Sequence, residues 1–518
     1  MNHSEEIAKE KGPLWSGPLA LWTMAGAFVG VAVLLAIASL LAMYCAWLPA
    51  AALAAVLVVV WCAQRPSRWL YLLIGTIFLE SSNVSLFIGG ARIRPAQIIL
   101  LPALANTFLF AAGGLTRLRR IPLVTPLFFY LVCNFLSTLF SVSPRQSVKI
   151  SLLLATVVAL YAVAYTLMRD DLEAYPSIFR FFIVVGLFQI GYGLYQVVAG
   201  YANARFGVSL PVGALGIVHT DYLGTTFGRP YGSLPEPDTY GAVCLFYALL
   251  FGLMWFTPSS RPFSGRLIVF AAASAAAGLL VGMVRASWIG FCVGLAWAFL
   301  QRVSGRLKPV RAIRLAGAGG LVLLAITISL ATSPNLREIV ARRFDTRGLE
   351  AAEQSLTLQN ARLRQMAVSF QLFRQRPLIG NGPGSFSLLG DPGAHQDYYI
   401  EVGADLSRIY DPSIITTILN DTGLLGMAAF LVLVAAYFVY TRRCLRRMNE
   451  PSSRNTALSA HCAFVGLFAS FVFTQYFWMP FTWLFLSMVV MLHEMGLQNP
   501  DWWRRRVAAG HSGCRRTG

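Results

Sequence analysis

Apolar runs of about twenty residues recur along the whole chain, separated by short polar or basic stretches. A run of that length crosses the hydrocarbon of a bilayer as an α-helix, and a helix satisfies its own backbone polar groups where water cannot. The pattern predicts an all-α polytopic transmembrane bundle of about fourteen helices. They fall at residues 19–42, 46–63, 69–84, 95–112, 123–141, 149–168, 180–199, 237–256, 267–283, 286–301, 314–332, 413–440, 458–477 and 480–496. Glu80, Ser81, Ser82 and Asn83 interrupt the third run, which reads as a broken helix facing protein or water.

Two connections are too long to be turns, residues 200–236 and 333–412. Within the second, Leu356, Leu363, Ala367, Phe370 and Phe373 recur near helical spacing, with Arg362, Gln365 and Ser369 elsewhere on the wheel. Gln354 to Phe373 is therefore expected to form an amphipathic helix lying on the membrane surface. No repeat of 20–50 residues is visible, so residues 1–518 read as one membrane domain with embedded loops.

Charge gives the orientation. With Lys9 and Lys11 inside, the alternation puts Arg65 and Arg68, then Arg117, Arg119 and Arg120, then Arg169 on the same side. Arg261 and Arg266 follow, then Arg302 to Arg314, Arg442 to Arg447 and Arg504 to Arg506. Cytoplasmic loops are the ones enriched in Lys and Arg, so both termini are expected in the cytoplasm and both long loops outside. The net charge of +19 then reflects topology, and nucleic acid is not an expected partner. A charged fraction of only 13% against 56% hydrophobic residues likewise excludes an ordinary soluble domain. The cysteines lie in apolar spans, inner segments or a tight turn, with no CxxC, so no disulfide or cysteine metal site is expected. The first apolar run lacks a cleavage signature and reads as a retained helix.

The outer side carries the chemistry. Segment 333–412 holds Arg337, Arg342, Arg343, Arg347, Arg362, Arg364, Arg374, Arg376 and Arg408 but no lysine. Arg205 and Arg229 lie in the other loop, and Arg285 joins two spans at their outer end. A guanidinium stays charged and presents a fork of donors that fits phosphate oxygens. Long outer loops also tolerate solvated arginines, but Arg229 and Arg285 abut apolar spans, where an unpaired charge is costly.

Three stretches stand out. Gly228 to Asp238 (GRPYGSLPEPD) is a shaped turn leading into a span. Its Glu236 and Asp238 are either a pair for a metal or for acid–base work, or acidic residues favoured at a helix start. Val284 to Trp288 (VRASW) is the second. Pro377 to Phe386 (PLIGNGPGSF) is the third. Glycines at 380, 382 and 384 either open backbone amides to an anion or make an irregular turn. Arg343, Arg362, Gly380, Gly382 and Gly384 join Arg229 and Arg285 as candidate substrate-binding residues.

In this order, ending on Leu419-Asn420-Asp421-Thr422-Gly423-Leu424-Leu425-Gly426, these stretches resemble the O-antigen ligase and O-antigen polymerase family of bacterial envelope proteins, over residues 180–440. The resemblance implies a C-type glycosyltransferase fold in the bacterial inner membrane, with its active site at the periplasmic face. It implies transfer of a glycan from an undecaprenyl-pyrophosphate donor to a saccharide or lipid-linked acceptor, without metal or other cofactor. Arg229 and Arg285 would hold the pyrophosphate, and a general base would deprotonate the acceptor. Where ligases carry a His-Asn pair, this chain has Pro412 and Ser413. Asp411 is the candidate base, its alternative being a helix cap ahead of Pro412, and His395 is a weaker one. That departure leans the expectation toward polymerase over ligase, within a possible polysaccharide assembly complex. The alternatives are a flippase for lipid-linked oligosaccharide and a non-catalytic scaffold.

Overall fold

A computed structural model describes residues 48–78, 86–88, 91–93, 95–110, 114–207, 218–222, 225–234, 237–256, 264–303, 358–386, 413–474 and 476–498. Twelve of the fourteen expected spans coincide with helices in it, and the other two, 19–42 and 314–332, lie outside the described residues. The helices are α1 (Leu48–Gln64), α2 (Arg68–Ile77), α3 (Pro95–Leu104), α4 (Val124–Leu139), α5 (Pro144–Asp170), α6 (Tyr175–Phe206), α7 (Pro237–Trp255), α8 (Gly265–Gly282), α9 (Arg285–Val303), α10 (Leu358–Gln375), α11 (Ile414–Arg447), α12 (Pro451–Ser470) and α13 (Pro480–Gln498). Six of them, α5, α6, α7, α8, α11 and α13, are long and apolar enough to cross a membrane.

Two short antiparallel hairpins interrupt the helices. β1 (Leu86–Ile88) pairs with β2 (Ala91–Ile93), and β3 (Val218–Tyr222) pairs with β4 (Thr225–Arg229). The third apolar run is described only to Phe78. α2 ends at Ile77, ahead of the polar break at Glu80, and its ten residues rise only about 15 Å. α3 carries Pro102 and passes into a π-helical turn, Ala105–Phe110. A proline removes an amide from the ladder and crowds the preceding turn, which favours such a bulge.

α7 and α13 form the centre, each with 89% of its apolar window inside the protein. The Phe485 ring of α13 lies 4.2 Å from that of Phe246 and 5.3 Å from that of Phe182, joining α7 and α6 around it. α8 packs on α7, α9 on α12, α12 on α7, α4 on α11, and α5 on α13. The rim helices turn apolar side chains outward, among them Phe188 of α6, Phe270 of α8 and Leu431 of α11. That arrangement suits lipid as the surrounding medium. Lipid gives apolar helices little reason to prefer one another, so close backbone approach must contribute. α9 achieves it with Gly290 and Gly294: a Cβ on either would collide with α12 or with Leu249 of α7, and one on Gly290 would meet the Gly466 carbonyl.

Candidate functional site

α11 is a broken helix. Ser413 caps its start, accepting the Ile415 amide on its hydroxyl, and Gly423 interrupts it with φ 65° and ψ −160°. A helix broken there loses the bonds from the amides of Leu424 and Leu425 to the carbonyls of Asn420 and Asp421. The Pro377–Phe386 loop replaces both. Asn381 donates its amide to Asn420 O (2.7 Å) and Gly382 to Asp421 O (3.0 Å). Leu424 donates to Pro377 O (2.8 Å) and Leu425 to Leu378 O (3.1 Å). The loop backbone therefore fills the gap in the helix ladder, where an orphaned polar group would be expensive.

Side chains lock the arrangement. Asn381 Nδ2 donates to Asn420 Oδ1 (3.0 Å) and to Leu372 O (2.9 Å). The buried Asp421 carboxylate accepts the Gly384 amide on Oδ2 (3.1 Å) and Asn420 Nδ2 on Oδ1 (3.3 Å). From below, Ser137 of α4 donates to Asp421 O (2.5 Å). Val142 and Ser141, ahead of α5, donate to Asn381 O, and Arg376 reaches Phe140 O (2.7 Å). Ser141 and Ser147 share a hydrogen bond of 2.6 Å.

The docking also accounts for the glycines. Gly380, Gly382 and Gly384 have φ of 80°, 101° and 74°, which disfavour a side chain. A Cβ on Gly380 would lie 2.5 Å from the Asp421 backbone. But their amides are committed inside the protein: Gly380 to Arg376 O (2.9 Å), Gly382 to Asp421 O and Gly384 to the Asp421 carboxylate. The alternating glycines let the loop enter the break in the helix.

The second part lies around Arg229 and Arg285. Arg229 ends β4, paired with Val218. The turn that follows is gripped by two glutamines of α6. Gln196 Oε1 accepts the amides of Tyr231 (3.1 Å) and Gly232 (2.8 Å), while its Nε2 donates to Gly232 O (3.0 Å). Gln189 Oε1 accepts from Ser233 Oγ (2.6 Å) and its Nε2 approaches Tyr231 O. Ser233 also bonds Phe78 O at the end of α2. α7 then begins at Pro237 with Asp238 in its first turn, nearly buried. The Thr239 hydroxyl is fully buried and finds no hydrogen-bond partner among the described residues.

Arg285 is the first residue of α9, half-buried at the α8–α9 corner. Met283 makes the corner with φ 49°, and Trp288 Nε1 pins it by donating to Leu279 O (3.0 Å). Gly241 of α7 packs directly on Val284 and Ser287, so the starts of α7 and α9 abut. A guanidinium at a helix N-terminus adds its charge to the positive end of the helix dipole, a setting that favours an anion.

The two parts share one end of the bundle. Ile414 donates its amide to Phe471 O, tying the start of α11 to the end of α12 (3.0 Å). Ser470, just before, lies against Gly290 in the second turn of α9. The structure thus gathers Arg285, the Arg229 turn, the glycine loop and Ser413 at one end. Arg362 falls within α10, which packs on α11. Arg343, His395, Asp411 and Pro412 lie outside the described residues. Among the described residues no group of three His, Cys, Asp or Glu side chains could hold a metal. Sequence reasoning missed Gln189, Gln196 and Ser137. The available signal was polar side chains inside apolar spans, and Gln189 and Gln196, seven apart, share a helix face.

Residues 267–431 match the family model Wzy_C, described as O-Antigen ligase. The match runs from α8 through Arg285 and the glycine loop to beyond the break in α11, while the Arg229 turn precedes it. No curated protein matches the chain.

Proposed function

We propose that this multi-span membrane protein, whose residues 267–431 match the O-antigen ligase family model, transfers a glycan from an undecaprenyl-pyrophosphate donor to a saccharide or lipid-linked acceptor. The carrying observation is the placement of Arg285, a half-buried guanidinium opening α9 beside the start of α7 and the braced Arg229 turn. In that setting Arg285 and Arg229 would bind the pyrophosphate and stabilise the charge that develops as it leaves. Pyrophosphate departs as a good leaving group once so neutralised. The protein must then supply a base for the acceptor hydroxyl, and Asp411, two residues ahead of the Ser413 cap, is the candidate. Arg343 and Arg362 are proposed to steer the anionic donor toward this end.

The basic clusters Arg117–Arg120, Arg169 and Arg442–Arg447 lie at the opposite ends of their helices from this site. By the positive-inside rule that opposite end would be cytoplasmic, which supports a site at the periplasmic face of the inner membrane. With Pro412 and Ser413 in place of a His-Asn pair, repeated transfer to a growing chain is favoured over ligation to lipid A core. The test is reconstitution: purified protein with donor extracted from the native host, with and without a lipid A-core acceptor. A product ladder without the second acceptor supports polymerisation, and a single acceptor-dependent band supports ligation. Bound donor with no product in either arm would refute transferase activity.

A further inference from the structure

The apolar rim of the bundle does not stop at the helix ends. On α4 the exposed side carries Phe128, Val132 and Leu139, and on α11, packed beside it, Leu424, Leu431 and Val439. Both stripes run up to the glycine loop and continue onto it. Leu378, whose carbonyl accepts the Leu425 amide, is 69% exposed. Phe140, which follows α4, is 54% exposed, and Phe370 of α10 is 41% exposed.

Helix length gives the depth of this patch. A hydrocarbon core about 30 Å thick takes about twenty residues of helix. Counted from Arg442, the first basic residue at the far end of α11, about twenty residues lead back to the break at Gly423. Counted from Arg120, ahead of α4, about twenty residues lead to Phe140. Two neighbouring helices thus agree in putting the docked loop at the edge of the hydrocarbon, on the membrane face opposite those basic residues.

Two arginines border the patch. The Arg374 guanidinium lies 5.0 Å over the Phe370 ring, and Arg376 Nη1 donates to Phe140 O at 2.7 Å. Both side chains are exposed, and neither meets a carboxylate among the described residues. The positive-inside pattern accounts for the basic clusters at the other face and gives no reason for these two. A guanidinium whose stem and aromatic partner rest on apolar surface can still present donors to a phosphodiester.

We propose that the Pro377–Phe386 loop and the end of α10 are seated in the bilayer surface, with Leu378 among the acyl chains and Arg374 and Arg376 on the phosphates of anionic phospholipid. Apolar side chains rimmed by cations at the hydrocarbon edge are how interfacial segments bind such lipid. The contact does not rest on glycan transfer. It fixes the height of the start of α11, Ser413 included, above the lipid.

The full chain, with benzoylphenylalanine replacing Leu378, is illuminated in phosphatidylcholine vesicles holding a minor fraction of phosphatidylglycerol, and the adducts are identified by mass. The same probe replaces Gln371, which is exposed but a quarter-turn from Phe370 on α10. Lipid adducts should be several-fold more abundant from position 378. Phosphatidylglycerol should exceed its bulk share among them by about twofold or more, and R374Q/R376Q should return it to the bulk share. If that double variant does not fold, R374Q, which leaves the Arg376–Phe140 bond, reads the same ratio. Equal lipid yields at 378 and 371, or adducts from 378 to protein alone, overturn the proposal. So does a wild-type phosphatidylglycerol share equal to bulk.

Discussion

The amide of Asn381 donates to the carbonyl of Asn420 at 2.7 Å, the acceptor that Leu424 would use in an unbroken helix. Leu424 in turn gives its amide to Pro377, at the start of the same loop. Loop and helix thus exchange backbone partners in both directions across a gap opened by one glycine. Undocking the loop would orphan the carbonyls of Asn420 and Asp421 and the amides of Leu424 and Leu425, at about 1–3 kcal/mol for each buried group. A segment that sequence alone reads as a surface loop is therefore part of the bundle's hydrogen-bonded framework.

Gly423→Ala should break this exchange. Its φ of 65° with ψ of −160° belongs to a region that only glycine occupies readily, costing another residue roughly 1–3 kcal/mol. The added Cβ would also lie 2.5 Å from the Leu378 carbonyl group. The expected outcome is destabilisation by about 3 kcal/mol or more, with new protease cleavage at residues 377–386. Thermal unfolding in detergent and limited proteolysis check it. A wild-type melting curve would mean that the loop does not depend on the break.

Asp421→Asn separates the carboxylate from its shape. Both oxygens of Asp421 accept, from the Gly384 amide and from Asn420 Nδ2. An amide side chain would turn an NH₂ group toward one of those donors. A loss of about 1–3 kcal/mol is expected, and Asp421→Ala should lose at least as much. Denaturant melts of the three proteins test the order. Equal stability of wild type and Asn variant would show that only one carboxylate oxygen is used.

Much of the architecture was legible because its causes are local. Apolar length announces a span, and basic residues mark one set of its ends. The described helix of the third run ends at Ile77, shortly before the polar stretch that begins at Glu80, and residues 79–84 of that run lie outside the described residues. The site was legible only in pieces. Arg285 was identified from its charge at a junction of two apolar spans, and the helix start there is visible in the structure. The glycine loop was identified as special, but its partner, the Asn420–Leu425 segment, lies some forty residues further on and meets it only through the tertiary fold. Amides alternating with flexible residues look the same in a sequence whether they face an anion or a carbonyl.

Gln196→Leu should loosen the turn after Arg229 without removing any charge. The substitution is close in size but leaves the amides of Tyr231 and Gly232 and the Gly232 carbonyl without their partner. A glycan-transfer site that needs a positioned Arg229 should then show a KM for donor raised by about tenfold, with kcat lowered less. Steady-state kinetics on reconstituted protein tests it. An unchanged KM would detach the turn from donor binding.

Arg285 gives the most direct test of the chemistry. Alanine removes both charge and donor fork from the start of α9, while Trp288 and the Met283 corner, which hold the backbone there, remain. Transfer should fall by about 10²–10³-fold, the range seen on losing a group that stabilises developing negative charge. Arg285→Lys should recover only part of it, because an ammonium supplies charge without the paired geometry that phosphate oxygens fit. The ordering wild type, then Lys, then Ala in rate, at equal protein level and melting temperature, marks a group acting on the pyrophosphate. Equal rates for Lys and wild type would assign Arg285 a general electrostatic part. A fully active alanine variant would move the pyrophosphate site away from this corner altogether.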